Sequence, residues 1–185
     1  MTSPSLPLRR AAGAGLLGAL LMLAGCASPA VEQYAAEQPR LLLREYFDGP
    51  MTAHGVFTDR SGQVVRRFTV KLVGRWNGPE GVLEEDFFYS DGKTERRVWR
   101  LTDHGGGRYT GRADDVVGEA RGQAAGNALR WQYTLALPVD GRVIHVDLDD
   151  WMYLIDERVM LNRATMSKFG VRLGEITLSF TRRSP

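Results

Sequence analysis

The stretch DLDDWMYLIDERVMLNRATMSKFG, Asp147 to Gly170, holds the residues best able to do chemistry. Three aspartates lead into large apolar residues, a polar break follows, and the chain returns with Asn162, Arg163 and Lys168. His145, Asp147 and Asp149 recur at every second position. On one strand face they would make a small metal site or an acid–base cluster, or a solvated outer surface if the opposite face is apolar. Asp150 and Arg163 offer a carboxylate and a guanidinium whose fork matches it. Elsewhere the acids come as adjacent runs, Glu84-Glu85-Asp86 and Asp114-Asp115, with no basic partner at a diagnostic spacing, and they read as turn and surface. His54 and His104 stand apart from His145. No Gly-x-Ser-x-Gly elbow, phosphate loop or metalloprotease helix occurs, so the sequence nominates no catalytic residue, metal ligand or cofactor.

The elements that must position these groups are strands. Turn signals fall at Asp59–Gly62, Asn77-Gly78, Asp91-Gly92, Gly105–Gly107, Gly126-Asn127 and Asp140-Gly141, with runs rich in Val, Phe, Trp, Tyr and Thr between them. Asp-Gly between such runs is a strong hairpin signal. LRWQYTLAL alternates, with Leu129, Trp131, Tyr133, Leu135 and Leu137 on one face; RFTVKLV does the same with Phe68, Val70 and Leu72. The spacing predicts an all-β chain of about ten strands in up-and-down antiparallel order. Successive hairpins with one apolar face remove their edges by closing into a lipocalin-like β-barrel. Before the strands, RLLLREYFDGP fits a short N-terminal helix ended by Gly49-Pro50, or an early strand.

Turn geometry then fixes register. A two-residue loop at Asp140-Gly141 sets Leu137 opposite Ile144, Leu135 opposite Val146, Tyr133 opposite Leu148 and Trp131 opposite Asp150. A second loop at Asp156-Glu157 would set Met152 opposite Leu161 and Asp150 opposite Arg163. Trp131, Asp150 and Arg163 would then lie in one inward row, a buried pair beside an aromatic ring. His145, Asp147, Asp149, Trp151 and Tyr153 would face outward. ERVMLNRATMSK is also rich in helix formers, and a helix there would dissolve the second pairing. In GEARGQAAG, small residues occupy every even position from Gly118 to Gly126. As a strand, that strip lets something approach closely, and packing of the Leu41–Phe47 segment is the expected use.

The chain opens with Arg9, Arg10 and AAGAGLLGALLMLAGCAS, a basic head and an apolar run ending in small residues, which reads as a signal peptide over residues 1–25. LAGC, Leu23 to Cys26, resembles the bacterial lipobox. That resemblance implies a lipidated Cys26 at the mature N-terminus, and Ala27 after it implies sorting to the outer membrane. Residues 26–40 would be a lipidated tether and 41–185 the barrel domain. Losing Arg9 and Arg10 brings the 24 basic residues of the full chain level with its 22 acidic ones. A neutral domain has no general pull toward nucleic acid. Cys26 is the single cysteine, so the domain has no disulfide and no thiolate site.

DRSGQVVRRFTV, ADDVVGEARGQAAGNALRWQY and DDWMYLIDERVMLNRATMSKFG resemble the bacterial lipoprotein family known as domain of unknown function 3833, from about Leu41 to the C-terminus. The resemblance implies a lipid-anchored protein of the bacterial cell envelope, on the periplasmic face of the outer membrane, and supplies no activity. Members tend to be encoded near fatty-acid-modifying enzymes, which favours a lipid or fatty-acid ligand. The leading function is binding of a small hydrophobic ligand in the barrel by Trp131, Tyr133, Leu135, Leu148, Asp150, Met152 and Arg163, with Val146 and Leu161 in the same lining. Two alternatives stand beside it. One is a structural or assembly lipoprotein with a filled core and a partner on Trp151 and Tyr153. The other is a lipocalin-like enzyme using His145, Asp147 and Asp149.

Overall fold

Strict alternation of apolar and polar side chains makes each long segment a strand with one buried face. A computed structural model describes residues 29–139 and 141–182 of the chain. Cys26, the lipobox and Asp140 lie outside the described residues. From Val31 onward the chain forms one compact unit.

Ten strands follow one another: β1 (Gly49–Asp59), β2 (Val64–Asn77), β3 (Glu80–Tyr89), β4 (Thr94–Asp103), β5 (Arg108–Arg112), β6 (Ala120–Ala125), β7 (Ala128–Val139), β8 (Arg142–Leu154), β9 (Val159–Lys168) and β10 (Val171–Arg182). Each pairs antiparallel with its neighbours in sequence, and β10 returns to β1, so the barrel closes without an edge. A single turn of helix, α1 (Leu43–Tyr46), precedes β1, and a 3-10 turn at Val31–Tyr34 precedes α1. The up-and-down barrel and the short helix expected from the sequence are both present.

The β7–β8 register is the expected one, with Trp131 opposite Asp150, Tyr133 opposite Leu148 and Leu135 opposite Val146. The β8–β9 register differs by one residue. Asp150 lies opposite Ala164, and Trp151 opposite Arg163. The loop is the cause. Asp156 Oδ1 accepts from the backbone N–H groups of Arg158 and Val159, both at 2.8 Å, and Ile155 N–H donates to Val159 O at 2.9 Å. That makes a connection of Asp156, Glu157 and Arg158 rather than a two-residue turn. One extra loop residue turns every β9 side chain to the other face. Leu161 and Arg163 therefore point out, and Met160, Asn162, Ala164 and Met166 point in.

The two barrel ends are built differently. The lower end carries the β2–β3, β4–β5, β6–β7 and β8–β9 turns, and the segment before β1 packs into it. Leu41, Leu43, Tyr46 and Phe47 are all buried there. The Tyr46 hydroxyl donates to Arg158 O at 3.1 Å and lies 3.3 Å from Phe180 O. Gly74 on β2 makes room: a Cβ there would overlap the Phe47 carbonyl. Gly126 in the β6–β7 turn does the same for the Tyr34 carbonyl, and its own carbonyl accepts from Leu41 N–H at 2.8 Å. The upper end carries the remaining hairpin turns, and among the described residues no segment packs across it. Because β5 and β6 are short, the link between them completes the wall above them: Val116 bridges to Leu135, and Ala136 N–H donates to Asp115 O at 2.8 Å.

The small-residue strip has a use the sequence reading missed. A Cβ at Gly122 or at Gly111 would overlap the Trp131 ring. The Trp131 side chain from the next strand lies over the middle of the strip at Gly122, and the Leu41–Phe47 segment meets the strip at its end, where Leu41 bonds to Gly126.

Candidate functional site

Most of the expected lining faces the barrel interior. Trp131 is buried, its ring edge-on to Trp99 with centroids 5.8 Å apart, and Tyr133 meets Trp99 edge-on at 5.4 Å. Leu148 and Val146 are buried beside Ala164 and Met166. Leu135 and Met152 also point inward and remain half-buried.

Arg163 does not belong to this set. Its side chain is 67 % exposed, and its Nη2 pairs with Glu175 Oε2 at 2.7 Å on the outer wall. Leu161 is likewise outside. The residue that meets Asp150 is Asn162, whose amide Nδ2 donates to Asp150 Oδ1 and also reaches the Trp151 carbonyl at 3.3 Å. An uncharged amide thus stands where the sequence reading expected a guanidinium.

The cation of the interior is Arg97 on β4. It lies directly across from Glu85 on β3, and both face inward with Leu83, Phe87, Trp99 and Leu101. Its guanidinium grips Asp115 with both ends of the fork, at 2.6 Å and 2.9 Å. That bond ties the β5–β6 link to the barrel wall. Glu85 and Asp150 are each only 8 % exposed. Burial pushes the Glu85 carboxyl up to about 7; Arg97 and the Trp99 side chain work against this, while the charges of Asp115 and Asp150 add to it. Burial likewise pushes Asp150 up to about 7 against the Asn162 hydrogen bond. Tyr133, between them, is held above its usual range by burial first and then by the charge of Asp150. Perturbed acids on one inner wall are a mark of a functional site.

Glu85, Arg97, Asp115 and Asn162 were absent from the expected site. Part of the signal was present: Leu83, Glu85, Phe87 and Tyr89 share one alternating face, so Glu85 is the odd polar residue of an apolar set. The adjacent run Glu84-Glu85-Asp86 hid it. Glu84 and Asp86 are surface residues as expected, paired with Arg75 and Arg96 at 2.7–3.0 Å.

The outer-face assignments hold. Asp149 takes both ends of the Arg130 fork at 2.7 Å and 2.9 Å, and Asp147 accepts from the Thr134 hydroxyl at 2.9 Å. His145 is exposed, and its carbonyl accepts from Lys168 Nζ. Among the described residues no three His, Cys, Asp or Glu side chains form a metal-holding group. Trp151 and Tyr153 stack on one another at 6.1 Å, but the chain's own Tyr34 covers them edge-on, so they are half-buried rather than free for a partner. A groove of about 550 Å³ runs over the outer wall at β1, between Leu161 and Phe88, with His54 and Thr69 among its residues. It lies on the opposite side of the wall from the acids.

The profile of a family described as protein of unknown function (DUF3833) matches residues 20–182. No curated protein matches the sequence. Among solved structures, an S-type phycobiliprotein lyase, CPES, from Guillardia theta shares the fold with a TM-score of 0.59 at 6% identity, over 85% of this chain and 99% of that one. A Nostoc punctiforme protein of unknown function from the DUF3598 family is similar at a TM-score of 0.48 and 13% identity, over 80% of this chain and 51% of that one.

Proposed function

The chain belongs to the DUF3833 family, and from that premise we propose that it is a lipid-anchored envelope protein whose barrel binds a small, largely apolar ligand through its upper end. One observation carries the binding: Phe57, Leu135, Leu137, Ile144 and Ile176 point inward in the upper half yet stay only half-buried. Inward apolar side chains that solvent still reaches line a space, whereas a filled barrel buries them. That a barrel of this build serves as a lyase in Guillardia theta supports reading its interior as a site. Signal peptide, lipobox and Cys26 support the anchor, which would keep the domain at the periplasmic face of the outer membrane, where an apolar molecule need not cross bulk water. The ligand reading is favoured over a structural lipoprotein because Tyr34 already occupies the outer aromatic patch.

A neutral fluorescent probe, N-phenylnaphthylamine, tests the binding on the chain from Ala27 to Pro185. Saturable binding is expected, with loss in Leu135→Trp or Leu148→Trp, which fill the space. Absence of saturable binding across neutral, acyl and isoprenoid probes would overturn it. Mass spectrometry of Cys26 tests the anchor, and an unmodified mature cysteine would refute it.

A further inference from the structure

Among the described residues the interior carries two acids, Glu85 and Asp150, that its own side chains neutralise only in part. Glu85 faces Arg97, but Arg97 donates through Nε and Nη2 to Asp115, so its charge is shared between the two acids. Asp150 has an amide for a partner, bonded at Oδ1, and Oδ2 has no side-chain partner among the described residues. Both acids are more than nine-tenths buried. Between them stand three aromatic rings: Trp99, against which both Trp131 and Tyr133 pack edge-on, and Trp131 directly opposite Asp150. Buried carboxylates are costly unless something compensates them; here one cation, Arg97, is shared between Glu85 and Asp115, and Asp150 has no cation beside it among the described residues. Aromatic faces attract cations and repel anions, so rings and acids favour the same kind of guest.

We infer that the ligand of this barrel is an amphiphilic amine, whose protonated nitrogen seats between Glu85 and Asp150 against Trp99, Trp131 and Tyr133 while its apolar body fills the upper half. The inference rests on the proposed ligand-binding role and gives it a chemical class. It also opposes the fatty-acid ligand favoured by the family resemblance. With Arg163 on the outer wall and Arg97 bonded to Asp115, an incoming carboxylate meets two acids and, among the described residues, no cation free of an acid at that depth. The charged and titratable groups facing the pair are Arg97 and Asp115 beside Glu85, Asp149 beside Asp150, and Tyr133 between them. A bound cation holds both acids ionised, so amine binding releases protons and tightens as pH rises.

Displacement of bound N-phenylnaphthylamine by dodecylamine, dodecanol and dodecanoate, on the chain from Ala27 to Pro185, separates the possibilities. Dodecylamine is expected to displace the probe at concentrations on the order of tenfold below dodecanol, the equivalent of one charge-assisted hydrogen bond, with dodecanoate weakest. The amine's advantage should shrink from pH 8 to pH 6 in the unaltered chain and vanish in Glu85→Gln/Asp150→Asn. Equal displacement by all three compounds, or a preference for dodecanoate, would overturn the amine while leaving the binding role intact. An advantage indifferent to pH in the unaltered chain would also overturn it, without any variant having to fold. If no neutral probe binds at all, the binding role fails, and the amine falls with it.

Discussion

Two halves of one barrel, built from the same alternating strands, fill their inward positions in opposite ways. In the lower half Leu41, Leu72, Leu129 and Met160 are at most 2 % exposed, and the segment before β1 closes the end over them. In the upper half the inward apolar residues around Val146 and Leu148 are mostly half-buried, and the acids Glu85 and Asp150 stand where the two halves meet. The lower half resembles an ordinary domain core. The upper half keeps apolar surface and near-neutral carboxyls within reach of a guest. Tight packing and half-buried apolar surface are thus concentrated at different heights of a single sheet, and the strands that cross both couple them.

The largest expected effect tests the contrast directly. Leu129→Ala, in the closed half, should cost about 2–5 kcal/mol in urea unfolding, because it leaves a cavity the surroundings cannot fill. Leu137→Ala, in the upper half, should cost less than about 1 kcal/mol, since solvent already reaches that side chain. Equal costs would erase the distinction between the halves.

The acids give the next effect. Glu85 and Asp150 hold their protons more tightly in the folded chain, so folding takes up protons between about pH 4 and pH 7. Their contribution to stability is fullest below their unfolded values and is lost as pH rises through about 7. At about 1.4 kcal/mol per pKa unit, Glu85 weakens the fold by about 3 kcal/mol and Asp150 by about 4 kcal/mol at pH 8. Glu85→Gln and Asp150→Asn should each flatten the decline between pH 5 and pH 8 in thermal or urea unfolding. A wild-type curve already flat over that range would place the acids in contact with water.

Tyr46→Phe removes one hydroxyl at the closed end and should cost about 1 kcal/mol, with no change in probe binding. Loss of binding there would mean that the closed end shapes the chamber. The smallest effect belongs to Arg163→Ala. An ion pair on an exposed wall contributes about 0–1 kcal/mol, and Glu175 keeps Arg172 at 3.2 Å. A loss of several kcal/mol would restore the inward position expected from the sequence.

That last residue shows where sequence reading stops. Alternation and Asp-Gly turns were enough for the barrel, the strand order and the β7–β8 register, because each is set by local chemistry. The β8–β9 register depended on whether Asp156 bonds to the backbone two and three residues ahead. This decides between two and three loop residues and leaves no periodic trace. Arg163 and Asn162 exchanged faces on that detail. Trp131, Tyr133, Leu148 and Asp150 were legible as inward residues, since their positions follow from the better-defined turn. The Arg97–Asp115 grip was not, because it joins a strand to an irregular link whose path no pattern specifies. The use of the small-residue strip was similarly hidden: a gap in one strand shows that something fits, without showing which side chain fits it.

Closure of the ring sets an order of assembly. Every pairing but one joins strands adjacent in sequence, and each such hairpin forms from local contacts. The exception is the seam, where Met51 meets Arg182 and Asp59 meets Gly174. A chain made from its N-terminus holds β1 with one bare edge until β10, its last strand, is available. Tyr46 reaches the carbonyls of Arg158 and Phe180, so the segment that closes the lower end completes its contacts only once the last two described strands exist. Loss of β10 by truncation would leave β1 and β9 as two unpaired edges facing one another, each a template for another chain. The closed barrel interior is therefore among the last parts of the molecule to come into being, and a product that lacks β10 would be aggregation-prone.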